Sequence, residues 1–387
     1  MMRNMISKVF NDIADAIESG QFGEKIKIGI TLLGSEHGVE NIVKGAEIAQ
    51  SRDKSIEVVL IGPKVDTNLK VIEANTEQEQ HEKMEELLDS KEISSAVTMH
   101  YSFPIGVSTV GRVITPGFGK EMIIATTTGT SSTHRVEAMV KNGLYGIITA
   151  KSLGIKNPTV GILNVDGARQ VEKALRKLNE NGYKVNFTQS LRADGGAVMR
   201  GNDLLSGTPD VMITDTLTGN LLMKVFSSFT TGGTYEAMGY GYGPGVGDGY
   251  SRTILIISRA SGIPVVANAI SYAADVARGN INKICQDEFK SAKNAKLDEI
   301  LNSLTKEKKK GDEEISIPEK EIVTGSISGI DILDLEDAVK VLWKNGIYAE
   351  SGMGCTGPIV MVNEEKIEKA IEILFKEGYV STDSMNC

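Results

Sequence analysis

A recurring order of apolar run, small polar loop and amphipathic helix predicts an α/β protein. The expected architecture is a mostly parallel sheet with flanking helices (α/β/α), followed by a small C-terminal α/β module. Two observations support this. The strand-like runs are apolar at nearly every position, as strands buried on both faces require. Glycine is in excess, 41 of 387 residues, with no collagen-like period, so the chain uses many tight turns or close backbone approaches.

The elements follow in order. "KIGITLLG" leads through "SEHG" to the helix "VENIVKGAEIAQ", and "EVVLIG" ends at Pro63. "EMIIATTTG" leads through "TSST" to "HRVEAMVKNG". "TVGILNVDG" opens onto "ARQVEKALRKLNENG", where Gly182 is the stop signal. "DVMITD" leads through "TLTGN" to "LLMKVFSSF", and "TILIIS" through "RASG" to "IPVVANAISYAADVAR". In such a fold ligands gather where strands end and helices begin. Those loops are Ser35–His37, Thr126–Thr133, Asp166–Gly167, Asp215–Asn220 and Ser258–Gly262. Free N–H groups and the positive end of the helix dipole suit phosphate there.

The chain divides into an amino-terminal helix (1–22), a core (23–290, with a subdomain split near 150), a charged helix and linker (291–320) and a cysteine-bearing module (321–387). The first segment carries Ile6, Val9, Phe10, Ile13 and Ile17 at helical spacing, broken by acids, which fits a surface helix rather than a signal peptide. In the module, Asp334 can cap "LEDAVKVLWKNG", "PIVMV" reads as a strand, and Asn363 can cap a helix whose Ile367, Ala370, Ile371, Leu374 and Phe375 form one apolar face. Cys355 lies between that first helix and that strand.

A net charge of -9 argues against nucleic acid and anionic membranes as partners. No run reaches the ~18 apolar residues of a membrane span. Three scattered cysteines (285, 355, 387) make neither a disulfide framework nor a zinc site, and suit a reducing cytoplasm. Cys285, in a helical stretch, reads as structural. Cys355, in "SGMGCTGP", is either a small residue packed in a turn or a reactive thiol that its glycines leave open to a partner's thiol or selenol. Of the four histidines, His37 is best placed, in a strand-end loop.

The most informative stretch is "RGNDLLSGTPDVMITDTLTGNLLMK", residues 200–224. Asp210 starts a buried strand, Asp215 and Thr216 stand at its end, Gly219 permits a turn or close approach, and Asn220 caps the next helix. This string resembles the core motif of the phosphate acyltransferases of phospholipid synthesis, through Asp203, Leu204, Leu205, Gly207, Asp210, Val211, Thr214, Asp215, Thr218, Gly219, Asn220 and Lys224. "GSEHGVENIVKGAEIA", "EVVLIGP", "ATTTGTSS" and "GYGPGVGDGYSRTILIISRASGIPVVANAIS" are similar to other segments of that family, in the same order. Ser258–Arg259 also resembles the serine–arginine motif of phosphotransacetylases, where the arginine binds phosphate and the serine lies near the thioester. Neither family has a counterpart of the "GMGCTGP" module. A core of this kind with that module resembles the alpha subunit of component C of the glycine/sarcosine/betaine reductase complex.

The resemblance implies transfer of an acetyl group from a thioester to inorganic phosphate, with no metal or redox cofactor. It implies a beta subunit similar to ketoacyl synthases and a selenoprotein acyl donor, in a homo- or hetero-oligomer. Under it, Arg259, Ser258 and loop N–H groups hold phosphate. Asn220 and the loop Gly129, Thr130, Ser131 and Ser132 stabilise the oxyanion, and Asp215 orients a group near the leaving thiolate. Gly219 lies in the same turn, Gly243 and Gly245 wrap the acyl or pantetheine arm or form a lid, and Cys355 carries the acyl group. The rivals are a phosphate acyltransferase for fatty acyl chains and a non-catalytic scaffold. A nicotinamide dehydrogenase is disfavoured, since "LLGSEHG" lacks the GxGxxG spacing.

Overall fold

The computed structural model describes residues 10, 13–14, 25–192, 195–305, 316–331, 334–354 and 357–380. The helix expected over 1–22, the lysine run of the linker, Cys355 and Cys387 fall wholly or largely outside the described residues.

The chain first forms β1 (Ile26–Thr31), α1 (Val39–Arg52), β2 (Ile56–Gly62), β3 (Lys70–Glu73), α2 (Glu77–Asp89) and β4 (Ser95–Thr98). A long hairpin follows, β5 (Val107–Ile114) and β6 (Glu121–Thr130), then α3 (Arg135–Ser152), β7 (Thr159–Leu163) and α4 (Ala168–Glu180). Next come β8 (Asn186–Phe187), β9 (Val198–Met199), α5 (Gly201–Ser206), β10 (Val211–Ile213) and α6 (Thr216–Ser228). The core closes with β11 (Gly243–Val246), β12 (Ile254–Ile256), α7 (Ile263–Arg278), α8 (Ile281–Asn294) and α9 (Leu297–Thr305).

These strands form a twelve-stranded sheet in the order β3-β2-β1-β4-β12-β11-β5-β6-β10-β7-β8, with β9 also on β7. The mostly parallel sheet expected from the sequence is present, as two parallel blocks. One is β3, β2, β1, β4 and β12; the other is β6, β10, β7, β8 and β9. Between them β11 pairs antiparallel with both β12 and β5, and β5 antiparallel with β6. Three reversals leave the blocks running in opposite directions, so the strand-end loops divide between two edges. Ser35–His37 and Ser258–Gly262 lie at one edge. The loop after β6, Asp166–Gly167 and Asp215 lie at the other.

Both faces of the sheet are buried, as the continuous apolar runs require. Along β2, Val58 and Leu60 join one apolar cluster, with residues of α1, α3, α4, α7 and α8. Val59 and Ile61 join the other, with Met84 and Leu87 of α2, Leu204 of α5 and Met223 and Phe226 of α6. On this second face α2 packs over β1, β2 and β4, and α6 over β5 and β6. The strands β12 and β11 lie between them.

The alternating glycines from Gly239 to Gly249 do not form a lid. Residues 243–246 are the buried strand β11. A Cβ on Gly243 would sit 1.8 Å from the Val110 carbonyl oxygen, and one on Gly245 would sit 2.4 Å from the Phe103 ring. Glycine serves here to let β11 squeeze between β12 and β5, rather than to wrap a ligand.

The C-terminal residues form a second sheet, β13 (Gly325–Ser328), β14 (Ala349–Gly354) and β15 (Gly357–Val362), in the order β13-β15-β14. The helices α10 (Leu335–Lys344) and α11 (Ile367–Lys376) pack on it around Ile327, Ala338, Leu342, Val360 and Leu374. "PIVMV" is part of a strand, as expected. Asn363 caps a short turn by accepting from Glu365 N. Asp334 stands at the α10 N-cap without a capping bond and accepts instead from Gln170 Nε2 of α4 at 2.9 Å. Ala370 and Leu374 are buried, but Phe375 is exposed, so it does not belong to the apolar face expected of α11. Lys173 of α4 also reaches the Gly378 carbonyl oxygen. These contacts fall on the first turns of α4, so the module sits by the edge where β7 ends, away from Ser258.

Candidate active site

The motif at residues 200–224 is mostly architectural. Asp203 accepts from Leu191 N (2.7 Å), Arg200 N (2.9 Å), Ser190 Oγ (2.7 Å) and Thr208 Oγ1 (3.3 Å). Burial raises its pKa, but these hydrogen bonds outweigh that and leave it below the ordinary carboxylate value. Asp210 ties β10 to β7 by accepting from Thr159 N and Oγ1. The helix cap expected of Asn220 is made by Asp215, which stands where the chain leaves β10. It accepts from Thr218 N at 3.0 Å and Thr218 Oγ1 at 2.6 Å, and pairs with Arg135 at 3.0 Å. Asn220 lies inside the first turns of α6 and donates to the Thr127 carbonyl at 3.1 Å. Gly219 presses α6 onto β6, where a Cβ would meet the Thr126 carbonyl oxygen at 1.8 Å.

The loop Gly129–Ser132 belongs to this same edge. Gly129 packs on β5, with the Val107 carbonyl 2.5 Å from where its Cβ would be. The Thr130 carbonyl accepts from Gly106 N. Ser131 is buried against Asn142 Oδ1 (2.5 Å) and Ser108 Oγ (2.8 Å). Ser132 Oγ accepts from His134 N. Most of the polar side chains here are engaged within the chain, and the sheet separates them from Ser258. In register Gly243 lies beside Ile256 and Val246 beside Ser108, which in turn faces Gly129. The loop and Ser258 are thus roughly seven strand residues apart, ~20–25 Å.

The Ser258 edge is different. Two helices of the same face, α1 and α7, begin there side by side. Their preceding loops are tied together by Glu36 N to the Arg259 carbonyl (2.9 Å), by His37 Nε2 beside the Ala260 carbonyl (3.3 Å) and by Asn41 Nδ2 to the Ser261 carbonyl (3.0 Å). Lys224, four residues beyond Asn220 on α6, donates to Ser258 Oγ at 2.6 Å and to Glu236 Oε1 at 2.6 Å. Glu236 is 1% exposed and also accepts from Ser261 Oγ and Tyr242 OH. The Lys224 side chain is 45% exposed, so the pair presents its cation to solvent and hides its anion. The Arg259 side chain is half exposed, with Glu77 of α2 at 3.8 Å.

This edge therefore gathers an ammonium, a guanidinium, a hydroxyl and two helix N-termini. Such a set of donors and positive charge suits a multiply charged anion. The sequence reading found Ser258, Arg259 and the vicinity of His37 but missed Lys224 and Glu236. Lys224 was legible as the last matched position of the string, one helical turn after Asn220. Nothing local marks Glu236.

A family model described as "Fatty acid synthesis protein" matches residues 26–361. The "Glycine/sarcosine/betaine reductase complex component C subunit alpha" of Peptoclostridium acidaminophilum is 68% identical over 368 residues, covering 95% of this chain and 96% of that one. The chain belongs to the Fatty acid synthesis protein family and, within it, to the component C alpha subunits. The chain is also similar to the "Phosphate acyltransferase" of Crocosphaera subtropica, 24% identical over 52% of this chain and 68% of that one. Among solved structures, a branched-chain phosphotransacylase from Enterococcus faecalis V583 aligns with a TM-score of 0.45 at 13% identity, over 65% of this chain and 99% of that one. No helix of the described residues is long and apolar enough to cross a membrane.

Proposed function

We propose that the protein transfers an acetyl group from a protein-bound or carrier thioester to inorganic phosphate, as the alpha subunit of an amino-acid reductase component. The balanced reaction is acyl thioester plus hydrogen phosphate giving acyl phosphate and thiol, with the phosphate proton ending on sulfur. The observation that carries this reading is Lys224 seated on Ser258, next in sequence to the half-exposed Arg259, in the loop that opens α7 beside the start of α1. Arg259 and the helix N–H groups hold phosphate against the thioester carbonyl, and fixed donors meet the charge that develops there. A beta subunit similar to ketoacyl synthases and a selenoprotein donor are the proposed partners, and Cys355 is the proposed acyl carrier, although its module sits at the edge where β7 ends, so transfer would have to bridge from there to Ser258.

Acyl phosphate formation from S-acetylpantetheine and inorganic phosphate tests the reading. Arg259→Ala lowers turnover by about 10²–10³-fold if Arg259 binds the reacting phosphate. Turnover unchanged in that variant moves the chemistry elsewhere. Incubation with acetyl phosphate followed by mass spectrometry tests Cys355: the expected label is on Cys355. Its absence, with activity kept in Cys355→Ser, removes the covalent role. Preference for long acyl chains over acetyl would favour the fatty acyl rival.

A further inference from the structure

We propose that Lys224, seated on the buried Glu236, locks Ser258 as a hydrogen-bond donor to the reacting groups and offers its own remaining N–H to the bound phosphate. This rests on the phosphate-transfer reading above and names how one residue of that site works.

A serine hydroxyl has two lone pairs and one O–H. Ser258 Oγ accepts from Lys224 Nζ at 2.6 Å and from Ala260 N at 3.1 Å. Both lone pairs are taken, so the O–H must point in the remaining direction, and no acceptor for it is found among the described residues. A cation donating to the oxygen also strengthens the hydroxyl as a donor. The same contacts disfavour Ser258 as a nucleophile: an attacking oxygen needs a free lone pair and a base, and Lys224 is engaged as the cation of an ion pair. Lys224 has three N–H groups, and Glu236 and Ser258 take two. The third remains for the bound anion beside the Ser258 O–H.

Glu236 explains why the lysine is held so firmly. A buried carboxylate costs stability unless paired, and an apolar pair of similar size would serve packing as well. The Glu236 backbone is in turn bonded to the Ser258 loop, from Glu236 N to the Ala260 carbonyl (3.0 Å) and from Gly262 N to the Glu236 carbonyl (2.8 Å). Carboxylate, ammonium and hydroxyl thus form one rigid chain from the core to the surface.

The test uses the full-length protein, S-acetylpantetheine and inorganic phosphate. Ser258→Ala and Lys224→Met each lower kcat by roughly 10²-fold, the scale of losing one donor to developing charge. The double variant falls no more than about threefold below Lys224→Met, because the two act as one unit. Only Lys224→Met also raises the KM for phosphate, and Lys224→Arg restores part of kcat. Lys224→Met/Glu236→Gln removes the unpaired buried charge, so a folded variant is at hand if Lys224→Met alone unfolds. A folded form of either variant with wild-type kcat overturns the proposal, as does strict multiplicativity of Ser258→Ala and Lys224→Met. An acyl group found on Ser258 overturns it too. If wild-type protein forms no acyl phosphate while its Arg259→Ala variant behaves identically, the underlying reading fails instead, which is a separate outcome.

Discussion

The two edges of the core sheet are built from similar loops and do different things. At the Asp215 edge the polar side chains close on one another: Asp215 on Thr218 and Arg135, Ser131 on Asn142 and Ser108, Asp203 on four donors. At the Ser258 edge donors remain open, and a buried carboxylate is present to hold a cation at the surface. If the chemistry lies at Ser258 as proposed, the strength of a sequence motif does not locate it. The longest matched string builds the first edge almost entirely. It reaches the second only through Lys224, at its far end.

Substitutions can break this contrast. Asp203→Asn should have the largest effect on stability, about 2–3 kcal/mol, since it weakens a buried acceptor of four hydrogen bonds. Turnover of the folded fraction should be unchanged. The folded pKa of Asp203 is depressed, so its contribution is present above the unfolded value near 4 and lost as pH falls through the folded value. Acid melts of wild type should therefore steepen below about pH 4, and those of Asp203→Asn should steepen less, since other depressed carboxylates such as Asp53 and Glu121 remain. Asp215→Ala should cost less, about 1–2 kcal/mol for a lost cap and ion pair, with kcat within about threefold of wild type on the scale of a group outside the chemistry. A 10²-fold loss of kcat would return Asp215 to the orienting role near the leaving thiolate that the resemblance implied.

The smallest effect concerns His81, which lies under the Ser258 edge with Nε2 3.3 Å from Thr98 Oγ1. Burial, then the nearby His100, lowers its pKa. Its folded form resists protonation, so stability is full above the unfolded value near 6.5 and declines as pH falls below it. Thermal melts at pH 7.5 and 5.5, values chosen to bracket that pKa, should differ more for wild type than for His81→Gln. An equal difference would place the titration elsewhere.

Much of the fold was legible because local patterns carry it. The continuous apolar runs marked the buried strands, Gly182 marked the end of α4, and "PIVMV" marked β15. What was not legible depends on pairings distant in sequence. The reversal between the two parallel blocks comes from β11 and β5, which pair only after more than a hundred residues of intervening chain. The alternating glycines looked like a ligand loop because close packing of backbone and freedom of backbone demand the same residue. The cap expected at Asn220 falls on Asp215 instead, because the chain turns into α6 as soon as it leaves β10. In the site, Ser258 and Arg259 came from the resemblance to the serine–arginine motif, with their strand-end position in support. Glu236 did not, because its role is set by Lys224 and Ser261 from other elements.

The contrast between the edges is tested most directly by amide hydrogen exchange of the full chain with and without inorganic phosphate. Phosphate should slow exchange at residues 36–41 and 259–265, where α1 and α7 begin, and leave residues 129–134 and 215–220 unchanged. Protection confined to the second pair of segments would contradict the placement of the chemistry at Ser258.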